Sequence, residues 1–108
     1  MEKPEEILLD LSGIINSETM HEYLSTRLNF PAYYGYNFDA FWDCITDEQL
    51  SDMPNTLIVE GLKALKKHLP DEHNELLNCL KDYGKKFPHR KVFLEQNSPS
   101  GEGIKFEN

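Results

Sequence analysis

Asp39 and Asp43 stand four residues apart in the segment FPAYYGYNFDAFWD, the most informative stretch of the chain. If the segment is helical, its two carboxylates lie one turn apart on one face. Such a pair has two uses. It could supply the acid and base of a hydrolase, or it could accept bidentate hydrogen bonds from cationic side chains of a partner. Hydrolysis needs a concave, water-excluding site, which two acids on an exposed convex helix face do not provide. Recognition of a cation needs only exposure.

The residues around the pair favour recognition. Seven of the chain's 12 aromatic residues fall between Phe30 and Asp43. Asn37 is a good N-cap, and Phe38, Phe41, Trp42 and Ile45 follow at i, i+3, i+4 and i+7, a stripe that faces a core. The other face carries Asp39, Asp43, Thr46 and Asp47. Tyr33, Tyr34 and Tyr36 precede the cap, in a turn that Pro31 and Gly35 make possible, and so flank the acidic end of the helix. Asp39 lies in the first turn, where the helix dipole stabilises a carboxylate by about 0.3 to 1 kcal/mol without any partner. Asp43 lies beyond that benefit. Tyrosines clustered beside an unexplained acid have the composition of an interface. The partner-facing set read from spacing is Tyr33, Tyr36, Asn37, Asp39 and Asp43.

No other motif carries chemistry. His21, His68, His73 and His89 are scattered without zinc-ligand spacing, and each reads as a surface histidine. There is no Gly-rich phosphate loop, so neither metal nor cofactor is expected. Cys44 and Cys79 fall in helical apolar patterns and read as two reduced, buried thiols.

The elements that position the acids follow from three short apolar runs rich in branched residues: Ile7 to Leu11, Leu57 to Val59, and Val92 to Leu94. They show little alternation, as suits strands buried on both faces. About 45 and about 30 residues with helical patterns separate them, so the strands are expected to be parallel with helical crossovers. Ser17 reads as the N-cap of a first helix bearing Met20, Tyr23, Leu24 and Leu28, which Pro31 stops. Leu62, Leu65 and Leu69 make a short amphipathic helix ending at Pro70, with Lys63, Lys66 and Lys67 as its solvated face. A longer helix begins at Asp71, turns Leu76, Leu77, Leu80 and Tyr83 inward, and ends near Gly84. The last stretch, QNSPSGEGIKFEN, reads as a flexible turn followed by a loose edge strand over Ile104, Lys105 and Phe106.

At 108 residues the chain fits one domain, here residues 1–96 with a C-terminal tail over 97–108. Its 11 basic against 19 acidic residues give a net charge of −8, which argues against nucleic acid or an anionic membrane and for a basic partner. The N-terminus lacks the pattern of a secretory signal and no apolar run has membrane-spanning length, so a soluble, cytoplasmic protein is expected.

Pro31, Tyr33, Tyr34, Gly35, Asn37, Asp39, Ala40, Trp42, Asp43, Cys44 and Thr46 together resemble the barstar family of intracellular ribonuclease inhibitors. The likeness extends more weakly over Glu5 to Glu95. It implies an α/β fold with a small three-stranded parallel sheet packed with about four helices, and no catalysis. It further implies a stoichiometric inhibitor, or immunity protein, that blocks a small basic ribonuclease or related toxin nuclease one-to-one and is a monomer when free. By this resemblance the partner-binding residues are Tyr33, Tyr34, Gly35, Tyr36, Asn37, Asp39, Trp42, Asp43, Thr46 and, on the last helix, Asp82. The residue matching Asp43 takes the place of a substrate phosphate, which is chemically coherent because a carboxylate accepts a guanidinium fork much as a phosphate does. Tyr36 and Lys86 depart from the pattern, each standing where the family carries an acid. The alternative reading is a non-inhibitory interaction domain of the same fold that binds another basic protein.

Overall fold

The computed structural model describes residues 4–94 and 104–106. Eight elements follow in chain order: β1 (Glu6–Asp10), α1 (Ser17–Arg27), α2 (Phe38–Thr46), β2 (Thr56–Glu60), α3 (Leu62–His68), α4 (Pro70–Lys86), β3 (Lys91–Leu94) and β4 (Ile104–Phe106). The sheet order is β1-β2-β3-β4. β1, β2 and β3 are parallel, so α1 with α2 and α3 with α4 form the two crossovers. β4 extends this three-stranded parallel sheet with one antiparallel strand, pairing Phe93 with Lys105. The serine- and proline-containing turn expected before β4 lies outside the described residues.

The strands are not buried on both faces, contrary to expectation. β1 alternates: Ile7 and Leu9 are buried while Leu8 is 40% exposed. The parallel register aligns Ile7, Leu57 and Val92 in one inward row and Leu9, Val59 and Leu94 in another. Leu8, Ile58 and Phe93 make the outward row between them. All four helices contribute to the same core cluster as the inward rows, through Met20 and Leu24, Phe41 and Ile45, Leu62 and Leu65, and Leu76, Leu80 and Tyr83. The helices cover one face, so only that face needs continuous apolar rows.

Polar caps set the N-terminal ends of α1 and α2, whereas α3 and α4 start without a side-chain cap. Asn16, not Ser17, caps α1: its backbone is extended and its Oδ1 accepts the Thr19 amide at 2.8 Å. The helix ends at Arg27, four residues before Pro31. Asn29 takes a left-handed conformation with φ of 59°, and the Phe30 amide reaches back to the Ser25 carbonyl at 2.9 Å. That pairing satisfies orphan carbonyls without proline. Gly84 does not end α4 but lies buried inside it, and the helix runs to Lys86. Glycine stops a helix when it turns left-handed, and among the described glycines only Gly61 has positive φ, at 76°. Past the end of α4 the chain folds back, and the buried Arg90 donates to the Tyr83 hydroxyl at 2.8 Å.

Two side chains of α1 occupy the open edge of β1. In a parallel strand alternate residues direct their amide and carbonyl groups to opposite sides. Leu11 and Glu5 bond toward β2, which leaves Leu8 and Asp10 facing outward. The Leu8 carbonyl accepts from Arg27 Nη2 at 2.9 Å, and the Asp10 amide donates to the Tyr23 hydroxyl at 2.9 Å.

Candidate functional site

The site is a turn followed by a helix. The turn begins as the Tyr34 amide closes on the Pro31 carbonyl at 3.0 Å. Tyr33, at its tip, is 76% exposed. Tyr34, which the resemblance counts among the partner-binding residues, is only 7% exposed. Its hydroxyl lies 2.6 Å from His21 Nδ1 on α1 and donates to the Asn37 carbonyl at 3.4 Å. Burial pushes the Tyr34 phenol well above its ordinary range. Tyr34 thus anchors the turn from below. The left-handed residue of the turn is Tyr36, with φ of 53°, and not Gly35. A side chain in that conformation costs roughly 1–2 kcal/mol. Tyr36 is 41% exposed, and one face of its ring lies on His21, with centroids 6.0 Å apart and planes 29° apart. Gly35 matters for space: a Cβ there would sit 3.2 Å from Asn37 Nδ2.

Asn37 ends the turn and starts α2, as the sequence predicts. Its Oδ1 accepts the Ala40 amide at 2.8 Å and its Nδ2 donates to the Gly35 carbonyl at 3.1 Å. Both turn and helix are therefore pinned by one side chain. Phe41 and Ile45 are buried, whereas Phe38 and Trp42 are half-buried and pack on the edge of the core. The stripe is narrower than its spacing suggests. Thr46 is half-buried and its hydroxyl is committed to the Trp42 carbonyl at 2.7 Å.

Asp39 and Asp43 are exposed on the outer face of α2. Neither carboxylate has a hydrogen bond or ion pair among the described residues. Asp82 is exposed on α4, and its relation to α2 is visible at Cys79. Burial raises that thiol to about 11, and Asp82, Glu75 and Asp39 push in the same direction. Acids from two helices thus converge around one half-buried cysteine. Cys44 is buried and both thiols are free, so the expectation of two buried thiols holds for Cys44 alone. Lys86, one turn beyond Asp82, is also exposed.

Sequence reasoning missed His21. It is 2% exposed, and His73 is buried as well, so these two are not surface histidines. Tyr34, Tyr36 and Phe38 surround the His21 ring, the last at 5.2 Å in an edge-on arrangement. The available signal was position: His21, Leu24 and Leu28 fall at i, i+3 and i+7 on the inward stripe of α1. Burial lowers the imidazole pKa from 6.5, and nearby Glu72 opposes that shift. Among the described residues no cluster of three His, Cys, Asp or Glu side chains is arranged to hold a metal ion, and no helix is long and apolar enough to cross a membrane.

Chemically, the arrangement offers unpaired carboxylates on a convex helix held at its entrance by an aromatic and amide framework. It suits a partner that brings cations to the acids. The family described as "Barstar (barnase inhibitor)" matches residues 5–97. A protein of Bacillus subtilis (strain 168) named "Putative ribonuclease inhibitor YrdF" is 32% identical over 77 residues, covering 71% of this chain and 82% of that protein.

Proposed function

This chain belongs to the barstar family, and from that premise we propose that it is a stoichiometric inhibitor of a small basic ribonuclease. The turn from Pro31 to Asn37 and helix α2 enter the enzyme's active site, and Asp43 occupies the place of a substrate phosphate among cationic side chains. The protein performs no catalysis of its own. It works in the cytoplasm as a monomer that forms a one-to-one complex, with residues 1–96 as the inhibitory unit and the tail outside it.

The observation that carries this reading is the pairing of two exposed carboxylates, Asp39 and Asp43, without any intramolecular cation among the described residues. A cation from outside can approach both. Asn37, Phe41 and Ile45 fix the helix beneath them, so little conformational entropy is lost on docking. Tyr33 adds a large exposed ring at the rim.

The test is calorimetric titration of a small secreted basic ribonuclease with this protein, alongside an RNA cleavage assay. Inhibition complete at one molar equivalent, with a matching binding stoichiometry, is expected. Full cleavage activity in the presence of excess protein, across candidate basic ribonucleases, would overturn the reading.

A further inference from the structure

We propose that the cleft between the N-terminal ends of α1, α2 and α4 takes an arginine side chain of the protein partner, as a second anchor beside the Asp39 and Asp43 face. The choice of partner rests on the inhibitor reading. The cleft itself does not: it has a volume of about 230 Å³, with Asp71, Glu72 and Glu75 on the α4 side and Tyr36 and Phe38 on the other, and His21 lines it from α1.

Three observations select a guanidinium. The carboxylates come first. The helix dipole accounts for Asp71 and Glu72, in the first turn of α4, but not for Glu75 a turn later. None of the three has a hydrogen bond or ion pair among the described residues. A cation is wanted, and an anion is excluded.

His21 is the second observation. His21 is 2% exposed and lines the cleft; its Nδ1 is taken by Tyr34, and Nε2 has no hydrogen bond among the described residues. The Tyr34 hydroxyl has one proton. For it to be bonded to both His21 and the Asn37 carbonyl, Nδ1–H donates to the hydroxyl and the hydroxyl donates to the carbonyl. That tautomer leaves Nε2 as a bare acceptor. Burial, which lowers the pKa of His21, keeps the ring neutral and the lone pair available. The ligand must therefore donate a hydrogen bond to the imidazole as well as to the acids.

The third observation is the aromatic wall. Tyr36 lines the cleft while stacked against His21. A planar guanidinium can lie on an aromatic face and direct several N–H groups outward in its own plane, whereas an ammonium offers a compact charge without that geometry. Asn37, which caps the helix carrying Asp39 and Asp43, also lines the cleft, so a partner docked on α2 has the cleft beside it.

The probe is N-acetyl-arginine amide, titrated into the free protein and followed by NMR at the His21 and Tyr36 rings, with the uncharged N-acetyl-citrulline amide and N-acetyl-lysine amide in parallel. The arginine compound is expected to shift both rings with weak, saturable binding, to exceed the lysine compound, and to lose its effect in Glu72→Gln/Glu75→Gln. Equal shifts with citrulline or lysine, retention of the shifts in the double variant, or no shift at all would overturn the proposal. With the ribonuclease, the double variant should bind about tenfold more weakly, as expected for one charge-assisted contact. The peptide titration contains no nuclease, so its failure is separable from a failure of the inhibitor reading, which Asp43→Ala tests.

Discussion

His21 Nδ1 lies 2.6 Å from the Tyr34 hydroxyl, a bond across 13 residues that ties helix α1 to the turn ahead of α2. Through it the buried interior of one helix determines where the exposed tip of the next segment sits. Tyr33 at the surface and Asn37 at the helix cap lie on either side of a fixed point.

Removing that hydroxyl leaves a buried imidazole nitrogen without its partner. Tyr34→Phe is therefore expected to destabilise the fold by about 1–3 kcal/mol, read as a lower urea midpoint at unchanged slope. An unchanged midpoint would show that the bond contributes nothing net.

The burial of His21 has a pH consequence. Its folded pKa lies below the unfolded value of 6.5, mainly from desolvation. Between the two values the unfolded chain binds the proton and the folded chain does not, so stability falls as pH drops through that window and levels off below it. Above the unfolded pKa both states are neutral and the residue contributes no slope. His21→Asn keeps a polar atom near the Nδ1 position but cannot titrate. Urea unfolding between pH 7 and pH 5 should show a steeper loss for the native protein than for the variant; parallel curves would remove His21 as the cause.

Asp43→Ala deletes an exposed carboxylate with no partner among the described residues, so the free protein should unfold at the same midpoint within about 0.5 kcal/mol. Binding to the cognate ribonuclease should weaken by about 2–5 kcal/mol, because the partner's cations lose their counter-charge in a desolvated interface. Calorimetry separates the two effects. A variant that binds as tightly as the native protein would remove Asp43 from the centre of the contact.

Gly61 joins β2 to α3 at φ of 76°, and a Cβ there would meet the Ser12 amide nitrogen and lie 2.9 Å from the Leu11 carbonyl carbon. Those neighbours are backbone and cannot swing away. Gly61→Ala should thus cost more than the roughly 1–2 kcal/mol of the left-handed conformation alone. A thermal melt within a degree of the native protein would show that β1 and β2 can separate at this end.

Much of this was legible in the sequence because local rules and tertiary packing agree there. Asn37 has both the type and the position of a cap, and the parallel order follows from the crossover lengths. The errors arose where packing decides. Apolar runs in β1 and β2 do not reveal that the helices gather on one face, so Leu8 reads as core although it is not. Spacing leaves Tyr34 out of the partner-facing set but does not say what it bonds; its partner stands on α1, and no local pattern announces a contact that distant. Gly35 is the residue whose freedom a turn should use, yet Tyr36 takes the left-handed conformation with its ring against His21.

The open edge of β1 has a bearing on dosage. An uncovered strand is a template on which a second copy can add its own strand, and chains that add edge to edge form polymers. Tyr23 and Arg27 take up the outward groups of Asp10 and Leu8 from within the same molecule. Under the proposed one-to-one inhibition, a copy lost to a polymer would leave one enzyme unblocked. On that reading, two side chains remote from the acids would help to keep each synthesised copy available.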